Sequence, residues 1–261
     1  MTRALSLFAL ALVACGPQLP GDETAALDTQ SGHGRPEPPM LGAHVTRDAH
    51  KPGGGTSSPD MTFHQGAIMT NAVTQTIFWG TSWANYSGDK ISGLDTWYEG
   101  IGGSDYAKAS DEYTGTNGQV GASSTHLGHL VDTSAAPTHA PATSTILAEV
   151  CKMVASPVAN GYYAVYTDTP RKGASYCAWH SYGTCGSTPV QFAFFFDLDG
   201  DASCDPQDSS GLHSQGLAAL ANVTGHELSE ARTDPRNGGW YDSSGGENGD
   251  KCAWSFGAPL V

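Results

Sequence analysis

Between Leu212 and Ala231 the chain keeps a helical period, and both faces of that helix are committed. At about 100° per residue, Leu217, Leu220, Ala221, Thr224, Leu228 and Ala231 fall on one stripe. Ala219, Val223, His226 and Glu230 fall on another, on the far side. Such a helix needs a layer to cover its apolar stripe and a cleft to receive its His/Glu stripe. Pro235 marks its end, because the residue before a proline is driven out of helical backbone.

The cover for that helix is legible upstream. Val73 to Trp79 reads as a strand closed by Gly80, and Asp89 to Ile101 carries Ile91, Leu94, Trp97, Tyr98 and Ile101 at helical spacing. A polar stretch rich in Gly, Ser and Thr runs to about residue 143, followed by a helix over Thr145 to Ala155. Tyr162 to Tyr166 and Val190 to Phe196 read as strands, and the second is apolar almost throughout, as a central strand is. These elements predict an α+β fold with a mixed β-sheet packed with helices, and the string His226-Glu227-Leu228-Ser229-Glu230, similar to the HExxH helix of zincins, makes it a single zincin-like domain with one long active-site helix near residues 212–231. From Gly238 to Val261 a glycine-rich loop is expected.

Ahead of this domain the chain reads as an export address and a tether. Arg3, the apolar run Ala4 to Ala14 and the string Leu12-Val13-Ala14-Cys15 form the pattern of a lipoprotein signal over residues 1–14, with Cys15 the lipidated residue of the mature chain. An ordinary secretory signal is the alternative, and both send the protein out of the cytoplasm. Residues 15–59 hold seven prolines and the triplet Gly53-Gly54-Gly55 with few apolar side chains, so a disordered tether is expected there. The globular domain would then span 60–261. The partner implied is a membrane, through the N-terminal lipid. Twelve Lys and Arg against 26 Asp and Glu give a formal net charge of -14, which argues against nucleic acid.

With Cys15 set aside, five cysteines remain, and an oxidising compartment would pair four. Cys151 fits a helix face and is nominated as the free thiol, leaving Cys177 with Cys185 and Cys204 with Cys252. Other pairings are open to the same sequence.

The chemistry centres on His226-Glu227-Leu228-Ser229-Glu230. Residues four apart on a helix project from one side, so His226 and Glu230 can reach a common ion. In zinc peptidases with the HExxH helix, two histidines bind Zn²⁺ and the Glu between them takes a proton from water; here Glu230 stands where the second histidine would, and Glu227 is the expected general base. Catalytic zinc takes three protein ligands. Glu247 is favoured as the third, with Asp250, Asp234 and His180 as competitors. A solvated helix face is the plain alternative.

Other candidates are weaker. Asp197, Asp199 and Asp201 resemble the start of a Ca²⁺ loop but lack its later Gly and Glu, so a polar turn after a buried strand is the simpler reading. His126 and His129 are read as loop residues, and His180 as a packed, hydrogen-bonded histidine.

Five blocks, FHQGAIMT from Phe63, IFWG from Ile77, VDTSAAP from Val131, CAWHSYG from Cys177, and GHELSEARTDP with the GGWYDSSGGENGDKCAW that follows, resemble in order and spacing the bacterial members of the phosphate-induced protein 1, or EXORDIUM-like, family. The resemblance spans nearly the whole domain. It implies a cell-surface or extracellular protein and carries His226, Glu227 and Glu230 over as a metal site. Two functions follow as expectations. One is a zinc-dependent hydrolase acting on a peptide. The other is a non-catalytic protein that binds a wall or matrix component, with a structural or vestigial metal site.

Overall fold

A computed structural model describes residues 36–50 and 59–256. The signal segment and Cys15 lie outside the described residues. The elements in chain order are β1 (Leu41–Val45), β2 (Thr62–Phe63), β3 (Ala72–Trp79), α1 (Lys90–Ile101), α2 (Asp105–Lys108), β4 (Thr114–Gly115), β5 (Gly118–Gln119), β6 (Ser124–Asp132), α3 (Thr143–Met153), β7 (Gly161–Pro170), β8 (Tyr176–Cys185), β9 (Thr188–Asp197), α4 (Gln215–Thr233) and β10 (Trp240–Tyr241). The fold is α+β. A six-stranded mixed sheet runs in the order β1-β8-β9-β7-β3-β6. β6, β3, β7 and β9 are mutually parallel, whereas β8 and β1 are antiparallel additions at one edge.

The parallel half follows from its crossovers. α1 joins β3 to β6, and α3 joins β6 to β7 on the other side of β3, so right-handed connections put these helices on opposite faces. β9 lies in the interior of the sheet, as its apolar run predicted, and both of its faces are used. Phe192 and Phe194 meet Trp179 on one, where Phe196 stands edge-on to Phe194, and Phe195 stacks on Tyr166 on the other, at 4.5 Å between rings. Close packing of these aromatic side chains supplies the largest share of the buried core.

α4 packs across β8, β9 and β1 on the face that α1 also covers. Its start is fixed twice: Ser214 Oγ accepts from Leu217 N at 3.1 Å, and the Asp89 carboxylate accepts from Ser214 N and Oγ at 2.7 and 2.6 Å. The second pair ties the N-termini of α1 and α4 together. Deeper in, Tyr98 and Tyr166 share a hydrogen bond of 3.0 Å and Tyr166 and Thr224 one of 2.7 Å, a satisfied polar chain through the core. The stripe predicted to face the core does so. The far stripe faces the antiparallel edge of the sheet and the C-terminal loop rather than open solvent, so that from Val223 onward α4 is buried all round.

Several expectations are corrected. Residues 36–50 were assigned to the tether, yet β1 pairs with β8 and buries His44. Prolines flank β1 but do not enter it, so the ladder survives. β6 falls inside the stretch read as polar loop: it pairs on one edge only and alternates, with α1 against one face. His126 and His129 are therefore strand residues, held by Asp95 of α1 at 3.1 and 2.6 Å. The carboxylates resembling a Ca²⁺ loop already have protein cations: Lys90 Nζ lies 2.9 Å from Asp197 and 2.8 Å from Asp199, and Arg171 Nε lies 2.7 Å from Asp201. Burial works against the Lys90 charge, but hydrogen bonds to Asp199 and Asp197 hold its pKa above the ordinary lysine value.

Both predicted disulfide pairs are overturned as well. The bonds are Cys151–Cys185 and Cys177–Cys204, so Cys151, nominated as the free thiol, is bridged and Cys252 is in neither bond. Cys177 and Cys185 sit eight positions apart on one extended strand, some 27 Å at about 3.4 Å per residue, so they cannot meet. α3 lies against β8 and brings Cys151 to Cys185 with Cα atoms 5.1 Å apart. Two disulfides fit an oxidising, non-cytoplasmic compartment. Among the described residues no helix is long and apolar enough to cross a membrane.

Peptide mapping of unreduced protein is expected to recover Cys151 linked to Cys185 and Cys177 linked to Cys204. Replacing Cys177 and Cys204 together by Ala should lower stability by about 3 kcal/mol, read by urea denaturation, since the bond closes a loop of moderate length. A Cys177–Cys185 peptide would contradict the strand.

Candidate metal centre

Four segments converge where the C-terminal half of α4 meets the antiparallel edge of the sheet. α4 brings His226, Glu227 and Glu230; β8 brings His180; β1 brings His44; and the loop after β10 brings Glu247 and Asp250. Asp234, which ends α4, is used differently: its Oδ1 accepts from Gly238 N and Gly239 N at 2.7 Å each, turning the chain after the helix. Its Oδ2 is buried without a partner near His180 and Glu247, but Asp234 belongs to neither group of atoms at ligating distance.

The loop folds back over α4, as expected of a glycine-rich segment, but Cys252 does not pin it through a disulfide. Asp242 Oδ1 accepts from Ser244 N and Gly246 N, Lys251 pairs with Asp242, and Asn248 Nδ2 donates to Ser229 Oγ on α4 at 2.8 Å. Asp250 N then donates to Glu230 Oε1 at 3.2 Å, and Glu247 N to Asp250 Oδ2 at 3.0 Å.

Two groups of ligand atoms result. His226, Glu230 and Asp250 form one, and His180, Glu227 and Glu230 the other; within each, one atom per residue lies within 4.8 Å of the rest. His226 Nε2 is 2.9 Å from Glu230 Oε1 and 3.6 Å from Asp250 Oδ1. His180 Nε2 is 3.8 Å from Glu230 Oε2 and 3.3 Å from Glu247 Oε1. Sequence reasoning favoured Glu247 as the companion of His226 and Glu230. The fold gives that place to Asp250 and sets Glu247 beside His180.

Polar atoms here are buried without partners. His226 Nε2, Glu230 Oε2, both oxygens of Glu227, Glu247 Oε2 and both ring nitrogens of His44 have no hydrogen bond. The 2.9 Å approach of His226 to Glu230 lacks hydrogen-bond alignment, as expected of two lone-pair donors aimed at a common third atom. Among the described residues, no lysine or arginine forms an ion pair with Glu227, Glu230, Glu247 or Asp250. A buried polar group without a partner costs about 1–3 kcal/mol, and more when charged. Left as they stand, the buried glutamates favour their protonated form. Burial first, then Asp250 and Glu247, pushes Glu227 and Glu230 well above the ordinary glutamate range, and burial pushes Asp250 up to about 6. Burial holds the histidines neutral with free lone pairs, lowering His180 to about 4 and His44 to about 3, and His226 well below its ordinary value.

The centre adjoins a cavity of about 750 Å³ between α4, the α1–α2 corner and the C-terminal segment. Trp97, Tyr106, Tyr113, Trp254 and Phe256 line it, and His44 and His226 reach its wall. Glu227 does not line it. One residue beyond His226, it is rotated about 100° toward the sheet, where it is wholly buried near Tyr162. Its expected role as base to a cavity-bound water has no support in this placement.

His44 is the site residue that sequence reasoning missed. Its ring stands edge-on to His226 at 4.0 Å and to Trp254 at 4.6 Å. The only signal was the short run Leu41-Gly-Ala-His-Val inside a proline-rich segment. Gly42 is needed beside it. Its φ is +47°, and a Cβ there would overlap Glu230 Oε2 and stand 2.6 Å from His180 Nε2.

Gly42→Ala is expected to destabilise the protein by more than the roughly 1–2 kcal/mol that left-handed backbone costs a side-chain-bearing residue, because the methyl also displaces Glu230. Urea denaturation of the metal-free protein measures it, and a change below about 0.5 kcal/mol would show that β1 does not lie against the carboxylate cluster.

No family model, curated protein or solved structure matches this chain.

Proposed function

We propose that the protein is an exported zinc-dependent hydrolase acting on peptides, with the metal held by His226, Glu230 and Asp250 at the wall of the aromatic cavity. The observation that carries this reading is a set of ligand atoms, several of them buried without partners and, among the described residues, none in an ion pair with lysine or arginine, next to a cavity large enough for a side chain and its flanking backbone. Neutral imidazole and two carboxylates are a ligand set that zinc accepts. When bound, zinc would supply a Lewis acid that polarises a carbonyl oxygen. An α+β domain whose long helix runs under a mixed sheet with an antiparallel edge is also what a zincin-like arrangement calls for, and the resemblance to EXORDIUM-like proteins supports a cell-surface location with a lipid anchor at Cys15.

The chain's own residues have definite tasks in this reading. His226 and Glu230, one helical turn apart, set the direction of the site, and Asp250 closes it from the loop. His44, kept neutral by burial, presents a hydrogen-bonding nitrogen to a polar group entering from the cavity. Trp97, Tyr106 and Trp254 exclude water and favour an apolar or aromatic side chain of the peptide.

A second reading has its own observation. Glu227, the residue expected as base, faces the sheet and not the cavity. This favours a non-catalytic surface protein that binds a wall or matrix component, in which the metal braces α4, β8 and the C-terminal loop.

Protein purified without a histidine tag should bind zinc at neutral pH, and zinc should raise its melting temperature by mass action. In the metal-free fold, Asp250 keeps its proton up to about pH 6 and Glu230 higher still, so zinc must displace protons. The zinc-dependent rise in melting temperature is therefore small at pH 5 and grows toward pH 7.5. His226→Ala should remove zinc and any hydrolysis of peptides with aromatic residues, both of which chelator should also abolish in the wild type. Full zinc occupancy with no hydrolysis would favour the second reading with a structural metal; no zinc uptake would sink the hydrolase and leave only a binding protein with a vestigial site.

A further inference from the structure

We propose that the centre binds two divalent cations bridged by Glu230, the first with His226 and Asp250 and the second with His180 and Glu227, Glu247 standing beside the second. This rests on the metal-binding part of the function proposed above and extends it from one ion to two.

Three observations carry it. Glu230 directs its two oxygens apart: Oε1 is 2.9 Å from His226 Nε2, and Oε2 is 3.8 Å from His180 Nε2. A carboxylate with one oxygen toward each of two histidines, on different elements, has the disposition of a bridge. Next, the ligand supply exceeds the needs of one ion. Zinc takes about four ligands, three of them from the protein in a catalytic site, and two-metal sites hold their ions about 3.5–4 Å apart. Here His180, His226, Glu227, Glu230 and Asp250 divide into two groups of ligating distance that share only Glu230, and Glu247 stands beside His180. Finally, buried atoms without a hydrogen-bond partner occur in both groups, His226 Nε2 in the first and the two oxygens of Glu227 in the second.

The second group also explains Glu227 and His180, which the single-ion site leaves without a task. Both are fully buried, and neither oxygen of Glu227 has a hydrogen-bond partner. His180 faces the site because it shares a strand face with Ala178, the position paired with His44 across the β1–β8 ladder. β1 lies over this group through Gly42, so the second ion would be enclosed by protein while the first stands nearer the cavity.

The test is zinc stoichiometry on the whole mature chain, stripped with chelator and brought to equilibrium with zinc by dialysis, the metal being counted by elemental analysis. The wild type should hold two zinc ions per chain. His180→Gln should hold one, and Glu230→Gln fewer than one. One ion in the wild type overturns the second site while the single-ion reading stands, and none overturns both. Two ions retained by His180→Gln would place the second elsewhere and overturn the proposal. Because His180→Gln can fail to fold, cobalt-substituted wild type supplies an independent readout. Two bridged Co²⁺ ions should show weakened electron paramagnetic resonance intensity per cobalt compared with half-loaded protein, and unchanged intensity per cobalt overturns the bridge.

Discussion

The carboxylate of Glu230 sits between two histidines delivered by different layers, and the surrounding architecture is arranged around the cost of burying it. His226 comes from the same helix one turn away, and His180 from the strand beneath. Around them Glu227 and Glu247 are buried and Asp250 is half-buried, with no lysine or arginine in ion-pair reach among the described residues. Elsewhere the chain does not behave this way. Buried Glu149 pairs with Lys152 and buried Asp242 with Lys251, so carboxylates buried elsewhere in this fold meet the chain's own cations. The exception at Glu230 is what gives the metal proposal its physical content.

Stability and function are coupled through this cluster. Two of the four segments are lightly held: β1 is a short edge strand, and the loop after β10 is held by turns around Asp242 and by Asn248. A cation bound there would tie the edge of the sheet, the helix and the loop into one unit, adding native-state free energy by mass action. In its absence the buried glutamates favour their protonated form and the histidines stay neutral, a state that avoids buried charge but leaves donors and acceptors unmatched.

Much of the fold was legible because local pattern and tertiary role agree where burial is deep. Val73 to Trp79, Val190 to Phe196 and the helix ending before Pro235 declared themselves through continuous or periodic apolar residues. β6 and β8 did not. Edge pairing lets β6 alternate His and Leu with Gly, and β8 carries Cys, His, Ser and Gly at positions fixed by a disulfide, by the carboxylate–histidine cluster and by Leu147 of α3 packed against Gly183. Pairing of the cysteines was illegible without the knowledge that Cys177 and Cys185 share one strand. In the site, the spacing of His226 and Glu230 announced a shared target, and the acidic loop announced itself by composition. His44 and the division of Glu247 from Asp250 depend on β1 and on loop turns, which no periodicity encodes.

The most direct test is anomalous diffraction at the zinc edge from crystals of the zinc-loaded chain. An anomalous peak bounded by His226, Glu230 and Asp250 is the expected result, with a second beside His180, Glu227 and Glu230. Crystals that bind zinc only at surface residues, or that show the carboxylates and histidines in their places with no anomalous density between them, would contradict the claim that this buried cluster exists to hold a cation.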